Sequence, residues 1–234
     1  TNIRAFRPNA RYYLVATMLS AAAMGVFRLL FNFFVLSLGY DEALLGRLVT
    51  TSSLTSLLVA LPMGYLADML GRKTSLLAAS AATSLAIALM VLFPHDWMLY
   101  AMNFVFGVSQ SLAGVTMSPF LMENSSQMER TYLFSFSSGL QMVSASVGNW
   151  IGGYLPAWMA AEIGVSAVSS QAYGSAMLVT ASGAGLALIP LAVMRMGQQV
   201  KSERTVFTPI RYAAQHPGLL SKLILPMLVT SIGA

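Results

Sequence analysis

Long stretches without a charged residue alternate with short charged segments along this chain. Five stretches of 20 to 32 residues contain no Asp, Glu, Lys or Arg: Leu48–Ala67, Thr74–Pro94, Trp97–Met122, Thr131–Ala161 and Ile163–Met194. A helix of about 20 apolar residues crosses the hydrocarbon core of a bilayer. Each stretch therefore predicts one membrane-spanning helix, and the two longest also include polar connecting residues.

Two shorter uncharged stretches flank Arg28 near the start of the chain. Tyr12–Phe27 and Leu29–Tyr40 are each too short to span a bilayer alone. Together they predict one helix over about Tyr12–Leu38, with an arginine inside the membrane. A further apolar run, Leu223–Ala234, has only 12 residues. We interpret it as the start of a seventh span, and the chain as a fragment of a longer protein.

The composition excludes most other classes of protein. Charged residues make up 9% of the 234 residues and hydrophobic residues 56%, whereas soluble proteins carry about 25% charged residues. So few charges cannot cover a water-exposed surface, which excludes soluble globular, disordered, collagenous and disulfide-scaffold proteins. Cys is absent, so thiol catalysis and cysteine metal sites are excluded. The sequence predicts an all-α integral membrane protein.

The basic residues lie almost entirely on one side of the predicted spans. With the N-terminus placed inside, the outer connections around Asp41–Glu42, Asp96 and Glu162 carry acids, and Arg47 lies near the outer start of span two. The inner segments hold 11 of the 13 Lys and Arg residues: Arg4, Arg7, Arg11, Arg72, Lys73, Arg130, Arg195, Lys201, Arg204, Arg211 and Lys222. This bias predicts a multi-pass protein of the cytoplasmic (inner) membrane with a cytoplasmic N-terminus. The net charge of +5 follows from this topology and indicates no nucleic-acid partner.

The pattern divides the chain into three parts. Residues 1–194 form the predicted six-helix transmembrane domain, 195–222 a basic cytoplasmic linker, and 223–234 the truncated seventh helix. The linker contains Phe207, Ile210 and Ala214 at helical spacing, which favours a helix lying on the inner membrane surface. A flexible linker with a few apolar residues remains the alternative.

The connection between spans two and three carries a recognisable motif, Gly64-Tyr65-Leu66-Ala67-Asp68-Met69-Leu70-Gly71-Arg72-Lys73. It resembles the signature loop of the major facilitator superfamily, G-x-L-A-D-[RK]-x-G-R-[RK]-[RK]. Seven positions match it, and Met69 and Thr74 depart from it because each replaces a basic residue. The position also agrees, because the loop lies on the predicted inner side between spans two and three. We expect Gly64 to allow a close helix approach and Gly71 to permit a tight turn.

The resemblance implies a fold and a partner. The chain would be the N-terminal six-helix half of such a transporter, built from two inverted three-helix repeats, with the central cytoplasmic loop. Its partners would be the lipid bilayer and a C-terminal six-helix half of the same protein. The loop would lock the two halves together in the outward-open state, through the conformational gate residues Gly64, Asp68, Gly71, Arg72 and Lys73. Glu123 is the expected partner of Arg72, with a plain interfacial acid as the alternative.

Two weaker resemblances bear on mechanism. Span four of many proton-coupled members carries R-x-x-x-G. This chain has Asn103 through Gly107 there, so Asn replaces the arginine, which argues against that coupling element. Span five of exporters often carries G-x-x-x-G-P-x-x-G-G. This chain has Ser144 through Gly153 there, with Gly148, Gly152 and Gly153 in place and with Ser144 and Asn149 replacing the first Gly and the Pro. The second pattern favours export, although small residues at this spacing also serve ordinary helix packing.

Several polar residues fall inside predicted spans. Placing a polar side chain in the membrane costs free energy, so such residues usually have a function. Asn32 follows Arg28 by one helical turn, and Asn103 and Gln110 share one face of span four. With Gln141 in span five, these residues are the candidate lining of a substrate or coupling-ion cavity. The alternatives are an arginine that snorkels or pairs within the bundle, and amides that bond between helices.

Together these features predict a secondary active transporter that moves a small organic or amphipathic solute by alternating access, with export favoured. The sequence leaves open which ion gradient drives transport, and protons are one candidate. No catalytic constellation, ATP site or metal-ligand cluster is present, so the sequence predicts neither an enzyme nor a cofactor. The alternatives are a transporter-like sensor or scaffold subunit without transport activity, and, less favoured, a membrane enzyme.

Overall fold

The computed structural model describes residues 8–194, and this part of the chain is built from helices. The helices, in chain order, are α1 Pro8–Ser37, α2 Glu42–Leu58, α3 Ala60–Leu70, α4 Arg72–Leu92, α5 Asp96–Glu123, α6 Gln127–Ile163, α7 Ser170–Leu186 and α8 Leu188–Val193. The predicted linker 195–222, with its surface helix, and the predicted start of a seventh span lie outside the described residues.

Local capping signals set where several helices begin and end. The Asp41 carboxylate accepts the Leu44 N–H at 2.8 Å, which caps α2. Ser126 and Glu129 form a capping box at the start of α6. Gly164 ends α6 in the left-handed conformation at φ +70°, where a residue without a side chain is favoured.

Six helical segments cross between the two ends of the bundle. Four of them, α1, α4, α5 and the joined α7 and α8, are long and apolar enough to cross a membrane. The predicted second span is broken into α2 and α3 by a 59° bend. Pro62 explains the bend, because it lacks the N–H that would bond to the Leu58 carbonyl. α6 has 37 residues but is less apolar than the other spans, and it packs lengthwise on α1.

The two ends of the bundle differ in charge. The helix ends at Pro8, Leu70–Arg72, Glu123–Gln127 and Val193 carry the bases Arg11, Arg72, Lys73 and Arg130, and we call this the basic end. The opposite helix ends carry Asp41, Glu42, Asp96 and Glu162, and we call this the acidic end.

α1 is the most buried of the four long apolar helices. It packs along α6 and α7, while α4 packs along α5 and α7, and α2 and α3 pack along α5. Aromatic pairs join α1 to α5: Tyr13 with Phe120 and Phe27 with Phe106, each with ring centroids 4.9 Å apart. Both pairs are spaced 14 residues along their helices, so α1 and α5 run antiparallel in a constant register.

Glycines bring α1 and α6 into close contact. A Cβ at Gly25 would overlap the Ala145 carbonyl oxygen, and a Cβ at Gly148 would overlap the Ala22 carbonyl oxygen. The backbones therefore touch where the two helices cross, which is the small-residue packing typical of membrane helices. Gly153 faces away, and a Cβ there would meet no atom of the described residues within 4 Å.

Candidate functional site

The loop between α3 and α4 turns on one glycine. Gly71 has φ +84° and ψ 154°, a conformation that side chains rarely allow. Its N–H bonds to the Ala67 carbonyl at 3.1 Å, so one residue ends α3 and starts α4. The tight turn that the sequence predicts at Gly71 is confirmed, and it places Asp68 and Arg72 close together.

Arg72 bridges two acids at the basic end. Its Nη1 donates to Asp68 Oδ1 at 2.6 Å and its Nε donates to Glu123 Oε1 at 3.1 Å. The Arg72 side chain is 23% exposed, against 66% for Asp68 and 56% for Glu123. Both carboxylates stand near helix C-termini, where the helix dipole disfavours negative charge. The arginine compensates both acids and ties α3 and α5 to α4.

Lys73 makes a second connection at the basic end. Its Nζ donates to the Ala192 carbonyl at 2.6 Å and to the Met194 carbonyl at 2.5 Å. The last carbonyls of a helix have no partner within the helix, and a lysine there satisfies them. Lys73 therefore joins the first turn of α4 to the last turn of α8. Sequence patterns do not indicate this contact, because it spans more than 100 residues.

Arg28 and Asn32 are exposed on α1. Arg28 stands between Phe27, which contacts α5, and Leu29, which contacts α6 at Gly152. Asn32 follows one turn later on the same side. Neither side chain has a hydrogen bond or an ion pair with another residue in the part of the chain that the structure describes. The charged group thus projects from an uncovered strip between the two neighbouring helices.

Gln110 faces the same region from α5. Phe106, four residues earlier, contacts α1 at Phe27. Gly107, three residues earlier, packs on α2 at Thr55. Gln110 therefore points between α1 and α2, and it is half-buried. In the antiparallel register it lies level with about residue 23 of α1, roughly 8 Å along the axis from Arg28.

Asn103 and Gln141 lie apart from this region. Asn103 is 2% exposed, and its Nδ2 donates to the Leu99 carbonyl at 2.9 Å and touches Met90 Sδ at 4.0 Å. Its amide is satisfied within the bundle, on the side of α5 that faces α4. Gln141 is exposed on α6. It lies level with about residue 17 of α1, roughly 16 Å along the axis from Arg28.

Comparison with known proteins decides the family. A family model described as the Major Facilitator Superfamily matches residues 13–233. The chain belongs to the major facilitator superfamily. No curated protein matches it. Members of this superfamily are multi-pass secondary transporters that sit in the lipid bilayer and bind small solutes, and they are generally not enzymes.

Two positions of the superfamily motifs differ from the sequence expectation. The pattern suggests that Gly64 permits a close helix approach, but a Cβ there would meet no atom within 4 Å among residues 8–194. This glycine is therefore not required by packing between the described helices. In the exporter-like segment, Gly148 and Gly152 contact α1, whereas Gly153 does not.

Asn149 is a polar residue that the sequence did not single out for the cavity. It is exposed, and its backbone nitrogen would lie 3.0 Å from a Cβ at Gly25 of α1. The sequence does mark this position, because Asn149 stands where the exporter pattern of the superfamily has proline. Its place beside Arg28 depends on the crossing of α1 and α6, which the sequence alone does not specify.

Proposed function

We propose that this protein carries a small organic or amphipathic solute across the membrane by alternating access, through a cavity lined by Arg28, Asn32 and Gln110. Exposure of Arg28 is the observation that carries the proposal. An arginine in the middle of a span costs about 2.5–3.5 kcal/mol on insertion scales. A lipid-facing position is thus unfavourable, and a polar cavity accounts for the charge. Asn103 is not part of this lining because its amide nitrogen bonds to the Leu99 carbonyl, and Gln141 is not part of it because it lies roughly 16 Å along the axis from Arg28.

A second six-helix half of the same protein closes this cavity in our proposal. The uncovered strip between α5 and α6 exposes polar groups at mid-membrane height, and in secondary transporters such groups face the site between the two halves. The basic end faces the cytoplasm, in agreement with the positive-inside bias. The membrane is the cytoplasmic membrane, the direction is export, and protons are the coupling ion to test first.

The basic-end cluster sets the conformational balance rather than contacting the solute. Asp68 and Glu123 are held by Arg72, and Lys73 holds the end of α8. These charges lie at helix ends, far from Arg28, and they join α3, α4, α5 and α8 at one place. Gly71 supplies the turn, and Gly64 leaves an open surface for the opposing half. A rearrangement between the halves would change this cluster directly.

Flux measurements on Arg28 variants test the proposal. The full-length protein in liposomes is screened for solute flux with and without a proton gradient. Arg28→Ala should abolish the flux, and Arg28→Lys should retain a weak flux, because lysine keeps the charge but loses the planar guanidinium fork. Arg47→Ala is the matched control, since Arg47 bonds to Tyr100 near the acidic end.

Normal flux in a stable Arg28→Ala variant would contradict the cavity. If Arg28 is structural instead, the alanine variant would lose thermal stability while its solute affinity stays unchanged. Absence of flux for every solute, with all variants correctly inserted, would favour a sensor or scaffold subunit that carries nothing.

A further inference from the structure

We infer that Asn149 of α6 joins Arg28 and Asn32 of α1 in a site for an anionic group, a carboxylate or a phosphate, on the transported solute. The inference rests on the proposed transport function and adds the chemical class of the solute. It also assigns a specificity role to Asn149, which replaces the proline of the exporter pattern.

The crossing of α1 and α6 brings the three residues together. Asn149 packs at Gly25, which precedes Arg28 by three residues, or about 5 Å along the helix. Asn32 lies about 6 Å beyond Arg28 in the other direction. Arg28 therefore stands between two exposed amides, one from each helix.

The side on which Asn149 lies supports the grouping. Gly148 contacts Ala22 and Gly152 contacts Val26, on the side of α1 away from Arg28. Gly25, which Asn149 touches, lies on the edge of the crossing nearest Arg28. Asn149 therefore borders the same uncovered strip from which Arg28 projects.

The acids of the described chain are too far away to neutralise Arg28. All of them lie at or near helix ends rather than at mid-span: Asp41, Glu42, Asp68, Asp96, Glu123, Glu129 and Glu162. A charge in a poorly hydrated place persists only when a counter-charge or water stabilises it. An anionic group on the solute supplies that counter-charge.

The donor set matches an oxyanion. A guanidinium presents a planar fork that binds carboxylate or phosphate oxygens in pairs. Each asparagine offers an amide NH2 group, and neither amide has a hydrogen-bond partner among residues 8–194. Three donor groups from two helices thus border one strip, within about 11 Å along α1, and a neutral solute would leave the arginine uncompensated.

Protection of Arg28 from phenylglyoxal tests the inference without a flux assay. The purified full-length protein is treated with phenylglyoxal, and modification of Arg28 and of Arg47 is followed by peptide mass spectrometry. The probes are butyrate, benzoate and octanoate, each compared with its neutral amide, and inorganic phosphate, compared with chloride. At least one carboxylate should slow Arg28 modification several-fold more than its amide does, while Arg47 reacts at an unchanged rate.

Substitution of Asn149 then separates its role from that of Arg28. Asn149→Asp keeps the size but adds a carboxylate on α6 next to Gly25, which lies about 5 Å along α1 from Arg28, and it should abolish the protection. Asn149→Ala should raise the carboxylate concentration needed for half protection by about tenfold, the factor equivalent to 1.4 kcal/mol. Gln171→Glu is the matched control, because it makes the same kind of change at an exposed position in the first turn of α7.

The inference would be overturned by amides that protect as well as carboxylates, by a lack of protection with every carboxylate and with phosphate, or by unchanged protection in both Asn149 variants. An Arg28 that does not react at all would also contradict it, because a solute site must admit so small a reagent. Flux that depends on Arg28 but not on solute charge would leave the transport proposal standing and remove the anion site. Flux that is independent of Arg28 would remove both.

Discussion

The crossing of α1 and α6 allows a sharp test of the packing on which the site depends. A Cβ added at Gly148 would overlap the Ala22 carbonyl oxygen and lie 2.8 Å from its carbon, whereas ordinary contact begins at 3.4 Å. The obstacle is backbone, so the two helices must separate by more than half an ångström. Gly148→Ala should therefore destabilise the protein, and it should also shift Asn149 relative to Arg28.

The magnitude follows from the costs of overpacking. Inserting a methyl group into a tight core costs about 1–3 kcal/mol, and 1 kcal/mol lowers the Tm of a chain of this size by about 2–4 °C. We expect the Tm of Gly148→Ala in detergent to fall by roughly 2–12 °C, as followed by loss of the monodisperse species on heating. Gly153→Ala and Gly139→Ala are the controls, because a Cβ at either position meets nothing within 4 Å in the described chain.

The controls should leave the Tm unchanged or raise it, since alanine favours a helix by up to about 1 kcal/mol over glycine. Equal stability of Gly148→Ala and Gly153→Ala would refute the close crossing. It would also remove the geometric basis for grouping Asn149 with Arg28.

Three further predictions concern the basic end and the topology. Asp68→Asn should slow transport and shift the protein toward the inward-open state by about 1–3 kcal/mol; unchanged cross-linking between helix ends at the basic end, with full transport, would reduce the motif to a topology signal. Lys73→Gln should speed amide hydrogen exchange in the last turn of α8 by about tenfold while Lys73→Arg preserves protection, and equal exchange in both variants would contradict the contact with the Ala192 carbonyl. Single cysteines that replace Thr74 or Ser126 at the basic end should react with an impermeant thiol reagent from the cytoplasm only. Single cysteines that replace Asp96 or Ser169 at the acidic end should react from the outside only. Reaction of a basic-end cysteine from the outside would overturn the orientation.

The membrane class and most span positions could be predicted because they depend on local composition. A run without charges must lie in lipid or protein, so the charge-free runs coincide with the helices to within a few residues at most ends. The bend at Val59 is harder to see, because Pro62 in a membrane helix is tolerated as often as it breaks the span. Ser170 starts α7 later than the charge-free run does, because that run includes the polar turn after Gly164.

The candidate site also contains some residues whose contacts the sequence could predict and others whose contacts it could not. Arg72 and Glu123 could be paired because the loop motif and the end of span four meet at one end of any such bundle. Helical spacing groups Asn103 with Gln110, yet the Asn103 amide bonds back to the Leu99 carbonyl, which spacing cannot reveal. Asn149 and the contacts of Lys73 depend on which helices cross and where, and that information lies in long-range packing.

Accessibility of a single cysteine at Gln110 tests the central claim, transport by alternating access, most directly. Gln110 lies near the middle of α5, half-buried between α1 and α2, and the chain has no native Cys. A membrane-impermeant maleimide should label Gln110→Cys both in intact cells and in inside-out vesicles. Adding Asp68→Asn should raise labelling from the cytoplasmic side and lower it from the outside. Labelling from one side only, or from neither, would contradict the account.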